Sequence, residues 1–246
     1  MSAALSPNAR LRYDVVRRLV ASAAGARTFL EVGCGQGALA VLLAQRFDYV
    51  GFEPDEASFR VAQDRLRLVG RGRVVNAALP EVPEREYDLV GAFEVLEHLA
   101  DDAQALAAWT RWLRPGGRLL LSVPAHPRRY GPADEYVGHY RRYSREGLEA
   151  LLLRAGLSEP RIVAYGFPLG YVLEWGRNLI LGRRLRRTSD SVTARTAASG
   201  RRLQPGPGLA PLLWMGTLPF RYLQRPFAGT DIGTGFVACA RLPGPV

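Results

Sequence analysis

The sequence predicts an α/β fold, a mostly parallel sheet with helices on both faces, and three observations lead there. The apolar run Phe29-Leu30-Glu31-Val32 meets glycines at 33, 35 and 37, and Ala38–Ala44 then has the composition of a buried helix. Further buried-strand runs follow at Tyr87–Phe93 and Arg118–Pro124, giving strand, helix, strand over residues 27–124. Gly233–Arg241 reads as a closing strand.

Taken in order, the first unit is a strand, a tight turn and a helix start. Gly33, Gly35 and Gly37 open backbone angles closed to other residues and leave no side chain between main chain and ligand. Amides at the helix start face the crevice at the strand end, so the turn suits a nucleoside-like cofactor. A dinucleotide fingerprint spaces its glycines G-x-G-x-x-G, whereas here the spacing is G-x-G-x-G. Glu31 would repel a pyrophosphate and suit a cationic amino-acid moiety. Glu53 ends the run Tyr49–Phe52, where an acid accepts from both ribose hydroxyls. After Tyr87–Phe93 comes Glu94-Val95-Leu96-Glu97-His98-Leu99, and Leu113-Arg114-Pro115-Gly116-Gly117 reads as the close of a helix.

Glu31-x-Gly33-x-Gly35-x-Gly37 with Glu53 resembles the class I S-adenosylmethionine-dependent methyltransferases, and the likeness spans almost the whole chain, least over about 166–232. It implies a Rossmann-like sheet of seven strands with an antiparallel last strand. It implies S-adenosylmethionine as cofactor, with Glu31, Gly33 and Gly35 at the methionine end and Glu53 at the ribose. The adenine position is usually aspartate; Asn76 stands here, and its amide carbonyl can still accept from the adenine amino group. Phe93 and Glu94 would line the methyl-transfer site. Glu94, Glu97 and His98 resemble the divalent-metal site of the ubiquinone-pathway O-methyltransferases, but the same span occurs in relatives that need no metal, and none is assigned. The expected reaction is methylation of a small molecule, oxygen ahead of nitrogen, in secondary or cell-envelope metabolism. A nucleic-acid methyltransferase of the amino-methylating kind would carry Asn-Pro-Pro-aromatic where Phe93-Glu94-Val95-Leu96 stands, so no nucleic-acid partner is expected. A non-catalytic cofactor-binding scaffold or peripheral membrane protein is the rival outside enzymes.

The 246 residues suit one domain: a cofactor-binding core over about 25–124, an active-site loop over 124–143 and a cap over about 166–232. No run of eighteen apolar residues occurs, the start lacks the pattern of a signal peptide, and two cysteines suggest a reducing cytoplasm. Net charge is +10, every basic residue being arginine. Eight arginines against Asp190 lie between Arg177 and Arg202, which reads as a solvated excursion or as a patch for an anionic membrane or carrier. The apolar segments 167–175 and 209–220 on either side are expected to pack on each other over the substrate pocket.

Chemistry is expected at the carboxyl ends of the strands, where 124–143 is too polar and proline-rich for core. His139 is the candidate base, oriented by Asp134 or Glu135 and flanked by Tyr136, Tyr140 and Tyr143. A structural role for His139, just before a helix capped by Ser144, stands beside that reading. His98 and Tyr136 complete the catalytic candidates.

Overall fold

The computed structural model describes residues 5–77, 87–185 and 210–244. Helix α1 (Pro7–Ala21) starts where Ser6 accepts the Ala9 N–H and Pro7 occupies a position that needs no donor. The strands are β1 (Thr28–Val32), β2 (Asp48–Phe52), β3 (Arg73–Val75), β4 (Tyr87–Phe93), β5 (Leu113–Pro124), β6 (Ser158–Tyr165) and β7 (Gly235–Arg241). Between them run α2 (Ala40–Ala44), α3 (Glu56–Val69), α4 (Asp102–Thr110), α5 (Pro132–Val137), α6 (Arg145–Arg154), α7 (Leu169–Leu185) and α8 (Ala210–Leu223). Side-chain caps set several boundaries: Asp55, Asp101 and Ser144 each accept an N–H of the first turn, and Gly70 ends α3 in the left-handed conformation.

The sheet order is β3-β2-β1-β4-β5-β7-β6, parallel from β3 to β5, with β7 antiparallel to both neighbours. The expected antiparallel last strand is therefore present. β4 lies between β1 and β5 and is buried along its whole length, so apart from Asp88 near its start its sequence is apolar without alternation. One face packs Leu30, Val90 and Ala92 against Leu106 and Trp109 of α4 and Leu148 and Leu152 of α6. The other packs Phe29, Tyr49 and Leu89 against Leu11 and Val15 of α1, Val41 of α2 and Ala62 and Leu66 of α3. Each fully buried side chain of this size contributes roughly 1.5–3 kcal/mol. Strand order reverses between β1 and β4, which opens a crevice at their carboxyl ends.

Four local expectations change. The helix after the glycine turn is only Ala40–Ala44, because the turn continues through Leu39. Leu113–Gly117 does not close a helix; α4 stops at Thr110 and Leu113 already pairs with Tyr87. The four residues after it form a bulge, with Gly116 at φ +80°, before the register resumes at Leu89–Arg118. The 124–143 segment is not an open polar loop: Ala133, Asp134, Tyr136, Val137, His139 and Arg142 are all buried. The apolar segments flanking the arginine-rich stretch pack chiefly elsewhere, α7 against α5 and α8 against α1. Arg221 explains the second case, reaching the buried Asp14 of α1 at 2.8 Å. Residues 186–202 of the arginine-rich stretch lie outside the described residues.

Candidate active site at the carboxyl ends of β1 and β4

The turn after β1 has the geometry its glycines suggest, with φ of +66° at Gly33, +55° at Gly35 and +73° at Gly37. A Cβ on Gly33 would meet Val95 at 2.7 Å, and one on Gly37 would meet Ala62 at 2.9 Å. At Gly35 nothing lies within 4 Å, so a side chain there would stand in the crevice. Glu53, at the tip of β2, accepts the Gly35 N–H at 2.8 Å and the Asp55 N–H at 2.9 Å. Burial raises its pKa against the pull of those two bonds. The exposed Asn76 donates its NH2 to Glu53 O and Pro54 O, which leaves the amide oxygen as an acceptor. Glu31 sits deeper than the sequence suggests: its carboxylate is buried and accepts from Tyr49 Oη at 2.6 Å. Burial moves it up to about 7, against the hydrogen bond from Tyr49 and the charge of Arg12.

Glu94 follows β4 with φ +59°, a strained conformation for a non-glycine residue. Its carboxylate accepts from Ser122 Oγ at 2.9 Å and Tyr165 Oη at 3.2 Å, and pairs with Arg12 at 3.4 Å. Burial would raise its pKa, but Arg12, Ser122, His139 and Arg177 outweigh that and keep it ionised. Glu97 goes the other way: burial and the Glu94 charge drive it well above the usual carboxylate range, and among the described residues neither oxygen has a hydrogen-bond partner. Buried alike, the two carboxyls thus move in opposite directions, Glu94 down because of its partners and Glu97 up.

His139 is held by Asp134, with Nδ1 2.8 Å from Oδ1; Glu135 is exposed, so Asp134 is the orienting acid. Burial alone would raise Asp134, but His139 and Arg142 bring it down to about 2. Arg142 spans Asp134 at 2.7 Å and Glu174 of α7 at 2.6 Å, and Glu174 also takes Arg129 at 2.7 Å. This pairing is why so polar a segment can be interior: each buried charge meets an opposite one. His98 stacks edge-on against His139 with ring centroids 4.6 Å apart, and burial lowers it to about 4, the nearby His139 adding to the effect. Glu97, His98 and His139 bring one ligand atom each within 4.8 Å of one another. Glu94, engaged by Arg12, Ser122 and Tyr165, is not in this close group.

A cavity of about 580 Å³ is lined by Glu94, Tyr165, Tyr136 and Arg142 together with residues of α7. Tyr136 is thus on the wall, whereas His139 and His98 are not among its lining residues. Sequence reasoning missed Arg12, Tyr165 and Glu174. Arg12 is one of four arginines of α1 and Glu174 the one acid of α7, and no local pattern points to their partners.

Residues 7–158 match a family model described as a methyltransferase domain. The chain belongs to the class I S-adenosylmethionine-dependent methyltransferases. A Mycolicibacterium smegmatis protein named as a probable methyltransferase of this kind is 35% identical over 59% of this chain and 57% of its own length. A ubiquinone biosynthesis O-methyltransferase of Alkalilimnicola ehrlichii is 33% identical over 46% of this chain and 47% of its own. This methyltransferase chain therefore spans about half the length of the curated relatives it matches. A Thermotoga maritima S-adenosylmethionine-dependent methyltransferase shares its fold, with TM-score 0.59 at 19% identity over 95% of this chain and 90% of that one. The donor set fits the family's cofactor: open space at Gly35, a carboxylate at the β2 tip and a free amide oxygen at Asn76 meet a nucleoside's needs. Among the described residues no helix is long and apolar enough to cross a membrane.

Proposed function

We propose that this chain transfers the methyl group of S-adenosylmethionine to a small-molecule acceptor, an oxygen nucleophile being favoured over nitrogen. The observation that carries the reading is Glu94, ionised and strained, which lines the cavity and precedes Val95, the residue packed on Gly33 of the glycine turn. In this reading Glu31, Gly33 and Gly35 hold the methionine end, Glu53 the ribose and Asn76 the adenine. The bound cofactor supplies an electrophilic sulfonium methyl. Phe93 and Glu94 line the transfer site, and Glu94 accepts a hydrogen bond from the acceptor O–H or N–H and so aims its lone pair. Tyr136 closes the wall. His139 is the base of this reading: Asp134 fixes Nδ1 as the donor, so Nε2 is the nitrogen that would take the proton. That atom lies 3.8 Å from Glu97 Oε1, behind the cavity lining rather than on it, and His98 stays neutral beside it. The O-methyltransferase name of the Alkalilimnicola ehrlichii relative supports oxygen.

Contact with an anionic membrane surface is supported by a separate feature. Val172, Trp175 and Leu179 of α7 and Leu212, Trp214 and Met215 of α8 are exposed, in a part of the chain rich in arginine. The test of the main reading is turnover of methyl-labelled S-adenosylmethionine with a panel of phenols, catechols and amines. Product with the hydroxylic acceptors supports it; cofactor binding without turnover on any acceptor favours the scaffold instead.

A further inference from the structure

The charges around the cavity do not cancel. Its wall carries three guanidinium groups, of Arg142, Arg177 and Arg184, and two carboxylates, of Glu94 and Glu174. Glu174 is taken by Arg142 and Arg129, and Arg142 also by Asp134. Glu94 is taken by Arg12, Ser122 and Tyr165. Among the described residues Arg177 and Arg184 have no carboxylate within ion-pair distance, although the Arg177 charge acts on Glu94 from farther off. Arg184 is exposed, and the Arg177 Nε is buried without a hydrogen-bond partner among those residues. Both belong to the face of α7 that also lines the cavity with Leu173, Ile180 and Leu181. Seven residues apart, they lie about 10 Å from each other along the helix axis. The rest of the lining is mainly apolar, including Val137, Val172 and Pro124.

A mainly apolar cavity lined by two guanidinium groups without an ion-pair partner and by the Glu94 carboxylate suits one kind of molecule. We propose that the acceptor is an amphiphile, an apolar body bearing an oxyanion, whose phosphate or carboxylate is held by Arg177 and Arg184 while its nucleophile reaches Glu94. This rests on the methyl-transfer reading of the same site. Guanidinium groups bind such oxyanions through paired N–H donors, and an unpaired buried Nε gains most from a ligand acceptor. The apolar body covers Leu173, Ile180 and Leu181, so chain length adds to affinity while the anion sets orientation.

The experiment is calorimetry on the full chain with S-adenosylhomocysteine present, titrating decyl phosphate, decanoate and decanol. At least one anion is expected to bind about tenfold or more tightly than decanol, and the two anions rank phosphate against carboxylate. In Arg177→Gln/Arg184→Gln the preference for the anion should vanish while decanol binding stays, and Arg177→Lys should retain part of it. Arg183→Gln, an exposed change outside the cavity lining, controls for the general positive charge and should leave the preference intact. The proposal is overturned if decanol binds as tightly as both anions, if no probe binds, or if the double variant keeps its preference. Failure of S-adenosylhomocysteine itself to bind would overturn the methyl-transfer reading instead, so the two failures are told apart.

Discussion

The two halves of this site are built from different materials. At the carboxyl end of β1 the backbone carries the shape: three glycines at positive φ, with Gly35 pinned through its N–H by Glu53. On the side of the cavity the shape comes from side-chain charges, Arg12 of α1 on Glu94 and Arg142 on both Asp134 and Glu174 of α7. A backbone-built half tolerates few substitutions but needs no distant partner. A charge-built half can be retuned by one mutation at a remote helix, which suits the part of an enzyme that must follow its substrate.

The largest expected effect lies on the charge-built side. His139→Ala should lower the single-turnover methyl-transfer rate by roughly 10²–10⁴-fold, with cofactor affinity unchanged. His139→Asn keeps a hydrogen-bonding side chain without the basic nitrogen. A rate near wild type in that variant across pH 6–9 would make His139 structural, part of the Asp134–Arg142 network only.

On the backbone-built side the matching change is Glu53→Ala. Loss of two charge-assisted hydrogen bonds to a ribose should weaken cofactor binding by about 2–4 kcal/mol, roughly 30- to 1,000-fold. Because Glu53 also holds the Gly35 and Asp55 amides, Glu53→Gln is the informative companion. An affinity equal to wild type in both variants would detach Glu53 from the cofactor.

Glu31 gives the comparison a pH axis. Its folded pKa of about 7 lies above the unfolded value near 4.5, so the native state binds more protons between those limits. Stability therefore falls as pH rises from about 4.5 to 7 and is flat for this group above that, a loss of about 3 kcal/mol. Glu31→Gln should remove that slope in urea unfolding. A pH profile unchanged from wild type would show that Glu31 does not carry it.

Legibility in the sequence followed the same division. The glycine turn, Glu53 at the next strand tip, the buried β4 run and the Ser144 cap are set by neighbours within a few residues, so spacing alone revealed them. Arg12, Glu174 and Tyr165 were not legible, because each acts on a partner tens of residues away and nothing in its own helix or strand marks it. Glu31 was placed at the right turn but at the wrong depth: its contact with Tyr49 depends on the pairing of β1 with β2. The polar 124–143 segment misled in the opposite sense. Counting charges predicts exposure, whereas Asp134, His139 and Arg142 are buried because they satisfy one another.

A smaller effect probes how α7 is tied to the rest. Glu174→Gln leaves Arg142 with Asp134 alone and Arg129 without its carboxylate. The expected cost is about 1–3 kcal/mol, less than for an unshared buried pair because Asp134 remains. The acceptor KM should rise while cofactor affinity holds. Equal loss of both would mean the two halves are one cooperative unit, and the contrast drawn between them would fail.

The smallest expected effect concerns the exposed apolar side chains of α7 and α8. Trp175 is 68% and Met215 65% exposed, in a region that carries arginines and almost no acids. Such a surface gains from both apolar insertion and attraction to anionic headgroups, and only the second term is screened by salt. Co-sedimentation with anionic liposomes should therefore be appreciable at low salt and fall as salt is raised, while neutral liposomes recover little protein. Trp175→Ala and Trp214→Ala should weaken pelleting without changing cofactor affinity, since neither side chain belongs to the turn at Gly33–Gly37. No pelleting at low salt would return the arginine-rich stretch to a solvated role, and the exposed tryptophans would then need another partner.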